Sequence, residues 1–595
     1  MASIEVLHVN ATRPETEGAK YNGFHPGSTL LAKGHKREPD RAAFIVDTIF
    51  DRDMEVPMRD GLNMRADIFR PASSDADDGE KVPVIVAWSS YGKTGTGFFQ
   101  LDMTPGRAGV PRSRTSGYEK FEAPDPAEWT ARGYAICNID ARGSWDSQGN
   151  IRWCGSDEGK DAYDAIEHLA SLPWCNGSVT MAGNSWLGIS QWFTAAERPP
   201  HLKCIAPLEG ASDFYRDIIA PGGVPNIPMQ AKVQEGICGR QKIEDLVGMI
   251  YKYPTWNEYW EKKRAKLENI EIPAYVLASY STGLHTEGSF RGFENIRGPK
   301  WLRVHPTQEW YDLYTKECNE ELQLFFDRYT KNIMNDWEKT PKVRVSILRF
   351  NDEPIVNHVF PAWPIPNTQF KTLYLGAGGT LDEKPTTDGG AVTYKSDVPC
   401  LQMGNDDEEC AFSCTFDADT YLVGYAKAVL WMAAEDADDM DIFVQLRKAD
   451  RDGNLLDQIN IPPSALDMAA QDVPSVNVLK YRGPPGILRA SHRELDDKLS
   501  GTNHPVPSHR ILQMLKPGKP VRLEVGIWPG GMAFSPGEKL VVKICGHDMR
   551  YAEFPGMSGT AKTLNVGRHT IYCGKSGHVS EVTVPLSVGR GGAVA

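Results

Sequence analysis

A chain of 595 residues is longer than one hydrophobic core usually fills, so two to four domains are expected. Hydrophobic residues make up 41% and charged residues 24%, an ordinary globular composition. The net charge of −13 runs against a nucleic-acid binder, whose electrostatic footprint is basic.

No apolar run approaches the roughly 20 residues of a membrane span. The opening "MASIEVLHVNATRPETEG" lacks the charged and apolar regions of a secretory leader. The eleven cysteines include no CxxC pair, and Cys410 and Cys414 in "CAFSC" have no partners at zinc spacing. The expectation is a cytoplasmic enzyme with reduced thiols. It would act on a small-molecule substrate, away from nucleic acid and membrane, with a homodimer left open.

Residues 1–50 show little periodicity and read as an irregular N-terminal extension. From Met54, "MEVPMRDGLNMRADIFRPA" reads as a hairpin turning at Asp60-Gly61. "VPVIVAWSSYG" and "YAICNIDARG" are short apolar runs ending in small or polar residues, as strands buried on both faces of a parallel sheet do. "DEGKDAYDAIEHLASL" has apolar residues at helical spacing and acids in its first turn. "VTMAGNS" and "CIAPLEGAS" continue the alternation, which predicts a doubly wound α/β layer over residues 51–211. Residues 212–271 break the rhythm and read as a helical cap. The alternation returns over 272–345 with "IPAYVLASYS", "KWLRVHPTQEW" and a helix through "FFDRYT". From 346 to 595, short runs separated by Gly, Pro, Asp and Asn predict a β-sandwich.

In "GNSWLG", Ser185 sits where a strand turns sharply into a helix. A nucleophile elbow needs small residues there because strand and helix approach closely, and the N–H of Trp186 then faces the oxyanion. As a bare G-x-S-x-x-G pattern the signal is weak, since a serine in a Gly-rich turn is usually only that. Its strand–turn–helix context favours the nucleophile.

With "VPMRDGLNMRADIFRPA", "VPVIVAWSSYGK", "NIDARGSWDSQG", "VTMAGNSWLG", "FFDRYT", "GILRASHRELD" and "PGKPVRLEVGIWP" in this order, the chain resembles the cocaine esterase, X-prolyl dipeptidyl aminopeptidase and glutaryl-cephalosporin acylase family. The resemblance implies an α/β-hydrolase core with a helical cap and a C-terminal jelly roll, and serine hydrolysis without a cofactor. Ser185 falls on the family's nucleophile and Tyr91 on its oxyanion tyrosine. The alternative for Tyr91 is an aromatic packed over the sheet edge.

The family's acid and histidine do not carry over, because those positions read Thr282 and Glu309. His285 lies three residues beyond the missing acid, so an exchanged relay Ser185–His285–Glu309 is the expectation, since a triad is defined by geometry rather than chain order. His305 is the competing base, and a loop histidine bonded to backbone is the bland reading of His285. Arg142 and the aromatics Tyr251, Tyr253, Trp256, Tyr259 and Trp260 are further candidates, each more often structural. The function expected is hydrolysis of an ester, lactone, thioester or amide of a bulky, partly apolar molecule through an acyl-enzyme. A lyase, cyclase or isomerase on the same scaffold is the alternative, since fold does not fix function. A binding module with a dead site is the third.

Overall fold

A computed structural model of the chain describes residues 4–75, 79–350, 352–386, 389–403 and 407–588. Thirteen strands belong to its first part. They are β1 (His8–Asn10), β2 (Gly27–Leu31), β3 (Thr48–Pro57), β4 (Asn63–Pro71), β5 (Val82–Ser89), β6 (Ala135–Asp140), β7 (Cys175–Asn184), β8 (Leu202–Leu208), β9 (Lys242–Glu244), β10 (Ala274–Ala278), β11 (Lys300–Val304), β12 (Val343–Ile347) and β13 (Ile355–Phe360). All but β1 and β9 form one 11-stranded sheet in the order β13-β12-β11-β10-β8-β7-β5-β6-β4-β3-β2.

From β6 to β12 the neighbours run parallel, and β4-β3-β2 and β13 flank them antiparallel. The buried strands β5 and β6 explain the apolar runs in the sequence, because neither face meets water. Helices α1 (Pro126–Ala131), α2 (Ser156–Ala170) and α3 (Trp186–Ala196) follow the early strands. The Asp60-Gly61 turn lies between β3 and β4, with Gly61 at φ 82°. The α/β core and the C-terminal all-β domain are both present.

Three segments differ from the expectation. The N-terminal extension is not merely irregular: β2 extends the sheet edge and β1 pairs with β9. The segment read as a helical cap holds only short helices, α4 (Ile227–Gly236), α5 (Leu246–Lys252) and α6 (Glu258–Glu261), with β9 among them. The boundary at 345/346 falls inside β12, which runs parallel to β11 in the core sheet. The short run "VRVSIL" reads as part of the all-β region, but Arg344 is buried against Glu321 and both faces are covered.

The C-terminal strands form a second 11-stranded sheet. Its last strand, Glu581–Val588, pairs with both Phe370–Gly376 and Thr420–Ala434 and so closes a barrel. In chain order α7 (Thr286–Asn295) follows β10, and α8 (Glu309–Leu313) and α9 (Lys316–Thr330) follow β11, with α7 also against the barrel. No helix among the described residues is long and apolar enough to cross a membrane.

Candidate active site

The geometry at Ser185 begins with its backbone. Ser185 has φ 53° and ψ −121°, between the end of β7 and the start of α3. A non-glycine residue there is strained, and such strain collects at functional sites. Two carbonyls hold the turn: Glu122 O accepts from Asn184 N at 3.0 Å, and Glu209 O accepts from Ser185 N at 2.9 Å. Glu122 and Glu209 are themselves in the left-handed region, at φ 70° and 60°. The elbow glycine Gly188 faces Gly210 so closely that a Cβ on Gly210 would meet Gly188 C at 2.6 Å. That contact is why position 210 tolerates no side chain. Between Met181 and Ser190, Ser185 alone is not buried.

Tyr91, two residues past β5, brings its hydroxyl to 3.3 Å from Ser185 Oγ. Its ring stands edge-on to Trp186 and to Phe121. Burial, with Glu122 and Glu309 nearby, holds its phenol well above the usual tyrosine range. The phenol is therefore protonated and able to donate. The Trp186 N–H opens α3, where the first amides have no intrahelical acceptor. The Trp186 indole and the Trp88 indole both donate to Glu158 Oε1 at 2.9 Å, which fixes the elbow from below.

A cavity of about 60 Å³ opens over Ser185. Tyr91, His285, Glu309, Glu122 and Glu553 give it polar walls. Phe99, Phe121, Leu284, Trp310 and Phe554 give it apolar ones, and Met229 and Val233 of α4 complete it. The barrel domain therefore contributes directly, through Asn477, Val478, Glu553 and Phe554. Asn477 Nδ2 donates to Ser281 O at 3.2 Å and to Glu553 Oε2 at 2.9 Å, tying barrel to core beside the cavity.

The structure brings all four expected side-chain positions, Ser185, Tyr91, His285 and Glu309, to this one cavity. It does not join the last two. His285 Nδ1 and Glu309 Oε2 are buried without hydrogen-bond partners. Burial alone lowers the His285 pKa to about 3, with no carboxylate opposing it. Glu309 is pushed well above the carboxylate range by burial and by Glu209, Glu122 and Glu553.

His305 lies beneath the site instead, with Nε2 2.5 Å from Glu209 Oε1 and Nδ1 3.3 Å from Thr307 Oγ1. Arg142 is taken up by Asp161 and Asp60. The aromatics Tyr259 and Trp260 pack on each other and Trp260 on Tyr215, so α4 rather than that cluster meets the cavity.

Sequence reasoning missed the carboxyl groups Glu122, Glu209 and Glu553. Glu122 lies in "KFEAPDPAEW", just before α1. Nothing local marks it beyond a glutamate ahead of a proline-rich helix start. Its Oε1 accepts from the Trp310 indole at 3.0 Å, and its Oε2 is buried without a partner.

The X-Pro dipeptidyl-peptidase (S15 family) model matches residues 60–237, and the X-Pro dipeptidyl-peptidase C-terminal non-catalytic domain matches 335–581. A CocE/NonD family hydrolase from Staphylococcus aureus is 30% identical with a TM-score of 0.83, over 97% of this chain and 100% of that one. Cocaine esterase from Rhodococcus sp. (strain MB1 Bresler) is 24% identical over 63% of this chain and 67% of its own length. An α-amino acid ester hydrolase, at 16% identity and a TM-score of 0.67 over 92% of this chain and 98% of its own, shares the fold.

Proposed function

Because the chain belongs to the CocE/NonD family of hydrolases, we propose that Ser185 is its nucleophile, with Tyr91 and the Trp186 amide as oxyanion donors. The enzyme is a serine hydrolase of the esterase and acylase type, cleaving ester or amide bonds of small apolar substrates. One observation carries the assignment of Ser185: its hydroxyl stands at a left-handed elbow, 3.3 Å from a buried, protonated phenol.

Attack of Ser185 Oγ on the carbonyl carbon develops negative charge on the carbonyl oxygen. Donors already aimed at that position stabilise it without reorganisation. The positive end of α3 adds to the same field. His285, kept neutral by burial, and Glu309 form the polar side of the pocket.

Labelling by a fluorophosphonate, located by peptide mass, tests the nucleophile; no adduct at Ser185 would end this reading. Tyr91→Phe keeps the ring against Trp186 but removes one donor. It should lower kcat by about 10²–10³ with little change in KM. A change confined to KM would make Tyr91 a binding residue.

The cavity also bears on substrate size. At about 60 Å³ it is small, with Met229 and Val233 of α4 on its wall. Only a short acyl group fits beside Ser185 unless Met229 and Val233 move. Across p-nitrophenyl esters, kcat/KM should peak at acetate or propionate and fall for octanoate. A rise through octanoate would show that α4 yields to the acyl chain.

A further inference from the structure

We infer that Glu122 is the proton-transfer group for Ser185, held by the Trp310 indole so that its free carboxyl oxygen faces the reacting hydroxyl. This deepens the assignment of Ser185 as nucleophile and rests on it. Four observations converge on Glu122. It is 3% exposed and on the wall of the same cavity as Ser185. One oxygen is occupied by the Trp310 N–H at 3.0 Å, while Oε2 has no partner. The hydroxyls of Ser185 and Tyr91 line the same cavity, and both favour its ionised form. Its strained backbone, φ 70°, is bonded through its carbonyl to Asn184 N, next to the nucleophile.

No other group in the cavity combines these features among the described residues. His285 is perturbed by burial alone, with neither a hydroxyl nor a carboxylate acting on it. A histidine without an acid to stabilise its imidazolium accepts a proton poorly. His305 is engaged by Glu209 away from the cavity wall. Glu309 faces other carboxyl groups, and Glu553 is held by Asn477. The pattern of nucleophile, base and orienting group is thus written as Ser185, Glu122 and Trp310.

The step balances as follows. Ser185 Oγ forms a bond to the acyl carbon while its proton passes to Glu122 Oε2. The carbonyl π pair moves to the oxygen held by Tyr91 and Trp186. On collapse, the bond to the leaving group breaks and Glu122 returns the proton to that group. Water then repeats the sequence on the acyl-enzyme, giving its proton to Glu122, which restores it to Ser185 Oγ.

Burial raises the Glu122 carboxyl well above its usual range, which makes its ionised form a stronger base but a scarcer one. Tyr91 from the loop after β5, Glu309 and Trp310 from α8, His285 before α7 and Glu553 from the barrel share its surroundings. Of these, the carboxyls of Glu309 and Glu553 are also raised by burial. Activity limited by ionisation of a raised acid increases with pH.

The experiment is the rate of Ser185 phosphonylation, read by intact mass from pH 6 to 10, on full-length protein with urea midpoints measured alongside. Wild type should label faster as pH rises. Glu122→Gln should be slower by about 10²–10⁴, the range of general-base catalysis, and independent of pH. His285→Ala should keep the rise of its labelling rate with pH. Trp310→Phe keeps the carboxyl but removes the hydrogen bond that favours its charge, so its pH limb should move upward. That shift decides the matter even if Glu122→Gln fails to fold.

Wild-type labelling rates in Glu122→Gln would overturn the inference. So would an unmoved limb in Trp310→Phe, or a labelling rate independent of pH in His285→Ala. An unlabelled wild type would instead remove the nucleophile, a separate failure seen before any variant is made.

Discussion

Ser185→Ala is expected to reduce turnover by on the order of 10⁶, the scale on which a nucleophile is lost from a serine hydrolase, while leaving the urea midpoint nearly unchanged. The two halves of this expectation have different origins. The activity half follows from the hydroxyl being the atom that bonds to the acyl group, with Tyr91 OH already 3.3 Å away. The stability half follows from backbone and packing. Ser185 is only partly buried, and its structural hydrogen bonds are made by its N–H to Glu209 O and its carbonyl from Ile189 N, which alanine keeps. The left-handed conformation costs an alanine and a serine similarly, because both carry a Cβ. Single-turnover kinetics with a chromogenic ester and a urea titration check the two halves independently. Turnover within tenfold of wild type would remove Ser185 from the chemistry.

The second large effect concerns the barrel. A fragment of residues 1–368, which keeps β12 and β13 and stops before Phe370, is expected to aggregate or to unfold without a cooperative transition. The interface it would uncover is aromatic. Tyr280 lies where a Cβ on Gly531 would touch its hydroxyl, and Phe290 and Trp363 pack with Tyr425. Backbone bonds cross as well, with Leu348 N donating to Gly531 O at 2.8 Å and Gln308 N to Asn460 O at 2.9 Å.

Rings of this kind bury about 150–250 Å² each. Re-exposing half of three of them, at about 25 cal/mol per Å², costs roughly 7 kcal/mol. Net stabilities of single domains run to only about 5–15 kcal/mol. Circular dichroism during heating and sedimentation of the purified fragment measure the outcome. A soluble fragment with a sharp transition would mean that the core closes without its partner.

What could be read in the sequence divides along the range of the forces involved. The elbow at Ser185 and the strand-end position of Tyr91 were legible because each imposes its requirements locally, on Gly183, Gly188 and the apolar run before Tyr91. The parallel strands were legible because burial on both faces erases polar residues. β12 was not, because Arg344 is neutralised by Glu321, a residue of α9 that no local pattern connects to it. Arg303 in β11 is similarly matched by Asp312. His285 and Glu309 come to the cavity over Ser185 through their strand ends, but whether they meet depends on side-chain direction. Glu122 was invisible for a related reason. Its role arises where a loop before α1 touches an indole 188 residues away in sequence.

The presence of Val478 and Phe554 on the cavity wall divides the molecule's labour in a way that matters for its diversification. Ser185, Tyr91 and Trp186 are held by the strand ends and helix start of the core. The rim that greets the substrate is partly built by two barrel loops, which can vary in shape without disturbing the elbow. A lineage could acquire a new preference by editing residues 477–478 and 553–554, and a chimera exchanging those loops would transfer selectivity while inheriting its chemistry intact.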